Sequence, residues 1–136
     1  MTSQLNVDTI VDKAGSGGSN VKMANTSTYV GEGGSGTQNT VQGLCKMWAR
    51  LNGQGTIALD DSFNVGSTTD EGTGQYTYTF SNNMSNANFN AAHASGNQMQ
   101  IHSLSTTSSV RSLNRDQNNS NEDPDPAFSN VHGDLA

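Results

Sequence analysis

A short stretch in the middle of the chain alternates aromatic and hydroxyl side chains. Tyr76, Tyr78 and Phe80 are separated by single threonines. Successive side chains of a β-strand point to opposite faces, and aromatic and β-branched residues suit a half-buried strand. The preceding segment 70–74 supplies the glycines that a tight reversal requires. This stretch therefore predicts one arm of a β-hairpin.

Further short apolar segments recur along the chain between turn-forming residues. Segment 41–51 alternates as a strand does, and its flanking glycines favour that interpretation. The helical spacing i, i+3, i+4, i+7 is also met there, by Val41, Leu44, Cys45 and Trp48. Other strand-like segments are 21–30, 56–59, 62–65, 89–94, 98–104 and 110–113, with a turn at 95–97. Short strands at such regular spacing predict an all-β domain, a short-strand antiparallel sandwich or barrel-like module.

The polar segment 115–126 contains both prolines of the chain. Proline cannot donate a hydrogen bond to a sheet ladder, so a central strand is excluded there. We expect an exposed and mobile loop.

Large apolar residues are scarce. Leu, Ile, Val and Phe together make up less than roughly 20% of the chain, a proportion that approaches disordered sequences. The net charge is only −6, however, so self-repulsion is weak. Because so few side chains can form a core, we expect each chain to share its core with other copies or with a larger particle.

Charge and hydropathy exclude several classes of partner. The six Lys and Arg residues are scattered singly, without the basic stripe that nucleic acid requires. No apolar run approaches the roughly 18 residues of a membrane helix. The first residues also lack the basic start and apolar core of a signal peptide. We therefore expect synthesis in a cytoplasm, no nucleic-acid binding and no membrane insertion.

No residue pattern indicates catalysis or a cofactor. Cys45 is the single cysteine and lies in an apolar segment, where a buried small side chain is expected. The histidines at 93, 102 and 132 lack metal-ligand spacing. The carboxylate pairs at 60–61 and 70–71 suggest glycan cleavage, but adjacent side chains point apart and aspartates beside glycine usually form turns. The acidic residues at 122, 123 and 125 lack the calcium-loop pattern. We expect no enzyme, no metal and no cofactor.

An alternating pattern near the N-terminus precedes a glycine-rich segment. Leu5, Val7, Thr9 and Val11 alternate with Asn6, Asp8 and Ile10, and glycine follows from position 15. The pattern is compatible with an ordinary first strand of the domain. It is equally compatible with an arm that adds to the sheet edge of a partner.

Several motifs resemble a module found in the distal parts of tail fibres of tailed phages and in other virion structural proteins of marine and cyanobacterial phages. They are Trp48-x-x-Leu-Asn-Gly-x-Gly-Thr56, Ser62-Phe-Asn-Val-x-Ser67, Asp70-x-Gly-Thr-Gly-x-Tyr-Thr77 and Met84-x-x-x-Asn-Phe89. Looser matches are Val110-Arg-x-x-Asn114, a C-terminal strand at 128–133 and the opening segment 4–18. Together these segments cover about two thirds of the chain.

The resemblance implies a virion protein made in the host cytoplasm, a short trimeric fibre or spike. It favours an N-terminal attachment arm at 1–20, a Gly/Ser-rich connector with one short strand at 21–43, and a β module at 44–136. The expected attachment residues are Leu5, Val7, Ile10 and Val11. The expected core or subunit-interface residues are Trp48, Leu51, Ile57, Phe63, Val65, Tyr76, Tyr78, Phe80 and Phe89.

Two alternative functions remain open. A capsid-decorating protein of the phage head would have almost the same sequence. A host-surface glycan-binding module would use Trp48, Tyr76 and Tyr78 for stacking. The expected partners are further copies of the chain and other tail or capsid proteins. For a glycan-binding module, a host glycan is a further expected partner. In a trimer, three equivalent histidines, one from each chain, could also meet at the three-fold axis and bind a metal ion.

Overall fold

The protein was analysed as a computed structural model, which describes residues 27–30, 34, 36–96 and 99–136. For residues 99–102 only the backbone is described. The predicted arm at 1–20, with its attachment residues Leu5, Val7, Ile10 and Val11, lies outside these residues, as do residues 21–26, 31–33 and 35 of the predicted connector.

Two four-stranded antiparallel sheets pack face to face. Sheet 1 has the order β4-β3-β10-β7, with β3 at Cys45–Asn52, β4 at Ala58–Phe63, β7 at Asn90–Ser95 and β10 at Ala127–His132. Sheet 2 has the order β5-β6-β9-β8, with β5 at Val65–Gly72, β6 at Gln75–Phe80, β8 at Met99–Ser105 and β9 at Ser109–Arg115. The predicted all-β antiparallel sandwich is confirmed, and so is the hairpin formed by β5 and β6.

The core lies between the inner faces of the sheets. Strand alternation places Met47, Ala49 and Leu51 of β3 inside, opposite the aromatic residues of β6. The buried apolar residues are Met47, Ala49, Leu51, Tyr76, Tyr78, Phe80, Met84, Val110, Ala127 and Val131. Phe89 closes one end of this cluster, with its ring edge-on to Phe80 at a centroid distance of 5.8 Å. A single core therefore accounts for most of the large apolar side chains of the two sheets.

The chain enters and leaves the sandwich at the same end. Cys45, at the start of β3, is paired with His132, at the end of β10. We call this the entry end and the opposite one the far end. At the entry end the chain passes from β4 to β5 through Asn64 alone, whose φ is 59°. The Asn64 side-chain amide donates to the carbonyl oxygens of Lys46 at 2.9 Å and Asn82 at 3.0 Å, which fixes this corner.

The loop between β9 and β10, at the far end, is anchored rather than fully exposed. Asp123 Oδ1 accepts hydrogen bonds from the Gly74 N–H at 2.6 Å and from the Tyr76 hydroxyl at 2.7 Å. Pro124 is buried, and its carbonyl accepts from the Gly53 N–H at 2.8 Å. The expectation of an exposed and mobile loop was therefore wrong for this part, because a carboxylate within the polar run satisfies a buried turn.

Replacing Asp123 by alanine is expected to lower the free energy of unfolding by about 2 kcal/mol, because a buried hydroxyl and a backbone N–H lose their shared acceptor. Urea unfolding of the two proteins measures the difference. Asp125→Ala is the matched control, since Asp125 is exposed in the same loop. Equal effects of the two substitutions would contradict the anchoring role of Asp123.

The segment that precedes β3 differs from the predicted strand. Residues Thr40–Gly43 form one helical turn, α1, which is capped by the Asn39 side chain accepting from the Gln42 N–H at 2.8 Å. The favoured strand interpretation of segment 41–51 is confirmed from Cys45 onwards, and of the four residues in helical spacing only Val41 lies in α1. Two short strands, β1 at Thr28–Val30 and β2 at Thr37–Asn39, pair with each other ahead of α1.

Lys46 connects α1 to the sandwich. Its ammonium donates to the carbonyl oxygens of Leu44, at 2.8 Å, and Val41. The residue is only 4% exposed, and burial lowers the pKa of its amine, partly offset by the charge of Asp134. The carbonyls at the end of a helix are an ordinary site for such a cation.

The strands between β3 and β6 differ from the predicted ones. Segments 56–59 and 62–65 were expected to be separate strands, but β4 runs unbroken through Asp60 and Asp61, where a bulge in the β3–β4 pairing takes up the extra residue. Strand β5, which is rich in threonine and acidic residues, was not anticipated. After Ser95 the chain passes from β7 in sheet 1 to β8 in sheet 2.

Candidate functional site

The outer face of sheet 1 carries three exposed aromatic side chains. Trp48 of β3 lies directly opposite Phe63 of β4. Phe128 of β10 lies opposite Arg50, which is the next residue of β3 on the same face as Trp48. Residues directly opposite on neighbouring strands have Cβ atoms about 5 Å apart, and diagonal neighbours are within reach of aromatic side chains. Trp48, Phe63 and Phe128 therefore form one continuous surface.

The register extends this surface across the whole sheet. One row of cross-strand neighbours consists of Ala92, Asn130, Trp48 and Phe63. The next row consists of Ala94, Phe128, Arg50 and Asp61. We call these eight residues the aromatic face. The two alanines of β7 are exposed and leave the aromatic rings uncovered on that side.

The aromatic rings are exposed to an unusual degree for their size. Trp48 is 39% exposed, Phe63 52% and Phe128 44%. Single exposed apolar residues are common, but a contiguous apolar patch rimmed by polar groups usually marks a contact site. The rim here is charged, because Arg50 pairs with Asp60 and lies beside Asp61.

The outer face of sheet 2 carries no aromatic ring among its described side chains and is centred on a hydrogen-bonded polar group, with Leu104 exposed beside Arg111. Arg111 donates from Nε to the Thr77 hydroxyl at 2.8 Å and from an Nη to Glu71 at 2.8 Å. The Thr77 hydroxyl in turn donates to Glu71 at 2.8 Å. These three side chains therefore satisfy one another. The two outer faces therefore differ in kind, and only that of sheet 1 presents clustered aromatic rings.

The predicted core or interface residues fall into two groups. Leu51, Tyr76, Tyr78 and Phe80 are buried, and Ile57, Val65 and Phe89 are half-buried against them. Trp48 and Phe63 lie outside the core, on the aromatic face. Burial of both tyrosines removes them as stacking residues for a glycan, which corrects that part of the glycan hypothesis.

The sequence alone does not indicate that Phe128, Ala92 and Ala94 belong to this surface. The strand pattern at 128–132 indicates that Phe128 and Asn130 share one face of a strand. It does not reveal which neighbours the strand has. The pairing of β10 with both β3 and β7 joins residues that are about 80 and 36 positions apart in sequence.

The remaining reactive side chains have structural partners. The Cys45 thiol is half-buried and donates to the Met47 carbonyl at 2.9 Å. His93 Nδ1 lies 2.8 Å from the buried Ser129 hydroxyl. Asp70 accepts from the Gly72 N–H at 2.9 Å, as turn aspartates do. In the described part of the chain, no three His, Cys, Asp or Glu residues are grouped as a metal site.

A second candidate is a polar cleft of about 330 Å³ at the far end. It is lined by Gln54, Gly96, Asp116, Gln117, Glu122, Pro124 and Asp125. Asp116 already accepts backbone hydrogen bonds from Ser120 and Asn118, both at 2.8 Å, and these lower the pKa of its carboxyl. This acid is therefore engaged in shaping the loop, and the aromatic face is the better-supported site.

None of the helices in the described residues is long and apolar enough to cross a membrane. Comparison of the chain with protein-family models, curated proteins and solved structures found no match.

Proposed function

We propose that the chain is a structural protein of a bacteriophage particle, a component of a short trimeric fibre or spike, whose aromatic face contacts other copies of the same chain. The observation that carries the proposal is the contrast between the two outer faces. One exposes Trp48, Phe63 and Phe128 together, whereas the other, in the part that the structure describes, has no aromatic ring and carries the hydrogen-bonded group of Arg111, Thr77 and Glu71. The motifs at 48–77 that resemble phage fibre modules support the same conclusion.

Another copy of the chain is the occupant that the charges favour. Arg50 and Asp61 are direct cross-strand neighbours on the aromatic face, so this face presents both signs of charge. Two such faces in contact can place each Arg50 near an acidic side chain of the other copy. The scarcity of large apolar residues in the chain gives a further reason for sharing apolar contacts between copies.

Loss of two aromatic rings from this face is expected to weaken self-association at least about 30-fold, since each half-exposed ring contributes on the order of 1 kcal/mol when fully covered. The test compares Trp48→Ser/Phe63→Ser with the unaltered chain by sedimentation equilibrium. Leu104→Ser is the control, because Leu104 is 43% exposed on β8 of the other sheet. Equal association of the two variants, or a chain that is monomeric throughout, would refute the role of the face.

Location on the particle tests the virion assignment itself. Gold-labelled antibody and electron microscopy are expected to place the protein on the tail. A few dozen copies per particle fit a fibre, whereas hundreds of copies on the head would instead establish capsid decoration. Absence from purified particles would refute both assignments.

Glycan binding is the second candidate, because exposed rings on a flat sheet suit stacking against sugar rings and Asn130 and Arg50 supply hydrogen-bond donors beside them. If this is correct, Trp48→Ser abolishes binding on a host-glycan array. If the same variant still self-associates like the unaltered chain, Trp48 serves glycan binding and not assembly.

A further inference from the structure

The four edge strands of the sandwich are not equally protected against pairing with another strand. The edges are β4 and β7 in sheet 1, and β5 and β8 in sheet 2. Proteins protect exposed edges with bulges, charges and prolines, because an unpaired row of N–H and C=O groups can recruit a further strand.

Three of the edges are irregular. The pairing of β4 with β3 contains a bulge, and β4 carries Asp60 and Asp61. The pairing of β5 with β6 contains two bulges, and β5 carries Asp70 and Glu71. The pairing of β8 with β9 shifts register between residues 102 and 104.

Strand β7 has none of these protective features. It pairs with β10 through six consecutive residues without a register shift, and its sequence is Asn-Ala-Ala-His-Ala-Ser. Asp, Glu, Lys, Arg and Pro are all absent from it. Within the described residues, only β10 pairs with it. A straight and uncharged edge of this kind is suited to accept another strand.

The inward side chains of β7 are small, so the core is only partly shielded from solvent along this edge of sheet 1. Its inward side chains are Ala91, His93 and Ser95, all only half-buried. An added strand with large apolar residues at alternate positions would cover this side. The N-terminal segment has that pattern, with Leu5, Val7 and Val11 at alternating positions.

The aromatic face alone is too small for a stable assembly. The whole outer face of sheet 1, with four strands about 4.8 Å apart and about six residues long, has a projected area of roughly 400 Å², and the aromatic face is only part of it. Each partner of a standard interface buries about 800 Å². A stable oligomer of this chain therefore needs a second contact besides the aromatic face.

We infer that the free edge of β7 accepts residues 4–11 of a neighbouring copy as a fifth strand of sheet 1, with the odd-numbered side chains facing the core. This inference rests on the proposed function in one respect, namely that several copies of the chain assemble. The 16 residues from 12 to 27 span at most about 55 Å when extended, more than twice the length of a six-residue strand. The segment is therefore long enough to reach a neighbouring molecule.

Disulfide trapping between two full-length variants tests the inference. One variant carries Ala92→Cys on β7, and its partner carries a cysteine at position 6, 8 or 10, all in a Cys45→Ala background. Mild oxidation of the mixture is expected to join the two molecules through at least one even-numbered position. Cysteine at 7 or 9 is expected to give at least tenfold less product, because these side chains face the core. Thr69→Cys, on the opposite edge, is the matched control.

Each other outcome overturns the inference. Trapping within one chain, in a dilute variant that carries both cysteines, would show that each copy uses its own segment. Equal trapping by Thr69→Cys would show that the contact is unspecific. No trapping in a sample that still sediments as an oligomer would remove the strand exchange and leave the proposed function intact. A chain that is monomeric in all samples would remove both.

Discussion

Replacing Gly74 by alanine is expected to lower the free energy of unfolding by about 3 kcal/mol or more. Gly74 is buried in the β5–β6 turn with a φ of 72°, a conformation that L side chains rarely adopt. An added Cβ would lie 2.5 Å from the Asn114 carbonyl oxygen and within 3.0 Å of backbone atoms of Glu122. Neither backbone segment can move freely, because the Gly74 carbonyl accepts two hydrogen bonds from Asn114, each at 2.8 Å.

Gly55→Ala separates the two causes of this effect. Gly55 has a similar φ of 68°, but an added Cβ there would have no neighbour within 4 Å. The backbone strain alone is expected to cost about 1 kcal/mol. Urea unfolding of the two variants measures the difference, and equal destabilisation would contradict the steric argument at Gly74.

Alkaline unfolding is the second large effect that we expect. Burial raises the pKa of Tyr76, and the hydrogen bond to Asp123 and the charges of Asp123 and Asp70 raise it further. Burial also raises the pKa of Tyr78, although the hydroxyls of Ser129 and Ser112 partly offset this. Both residues are fully buried in the core.

The sign of the pH dependence follows from these directions. Below the ordinary tyrosine pKa of about 10, both phenols are protonated in the folded and unfolded states. Above it, unfolding releases two protons, so stability falls by up to about 2.7 kcal/mol per pH unit. The lowered pKa of Lys46 has the opposite effect, because it makes stability rise with pH until the unfolded amine deprotonates near pH 10.5.

Urea unfolding between pH 9 and 11.5 measures this slope. Tyr76→Phe is expected to halve it, because a single buried phenol then remains. A slope that is the same in Tyr76→Phe and in the unaltered chain would show that Tyr76 is not held protonated by the fold.

Local patterns in the sequence predicted most of the strands. The alternation at 75–80 and the turn glycines before it define a hairpin without reference to the rest of the chain, and this hairpin is present. Strand β5 was missed because its residues from Val65 to Gly72 are mainly polar. It is an edge strand with one face in water, so its position depends on pairing with β6 more than on its own composition.

The candidate site was less predictable because it depends on which strands are neighbours. Alternation indicates that Trp48 and Met47 point to opposite faces, but it does not reveal which of them is buried. The sheet order decides this, since β3 lies in the middle of sheet 1 with its Met47 face towards Tyr78 and the other aromatics of sheet 2. Long-range pairing of this kind leaves no periodic signal in a single sequence.

The chain enters and leaves the sandwich at one end, and this has a mechanical consequence. A tether attached before Cys45 and a load attached after His132 both act at the entry end, on two adjacent antiparallel strands. Pulling on them would peel β3 from β10 one residue pair at a time instead of shearing the whole ladder at once. For the same reason, cargo attached after His132 would stand beside a tether attached before Cys45, and the far-end loops would project away from both into the medium.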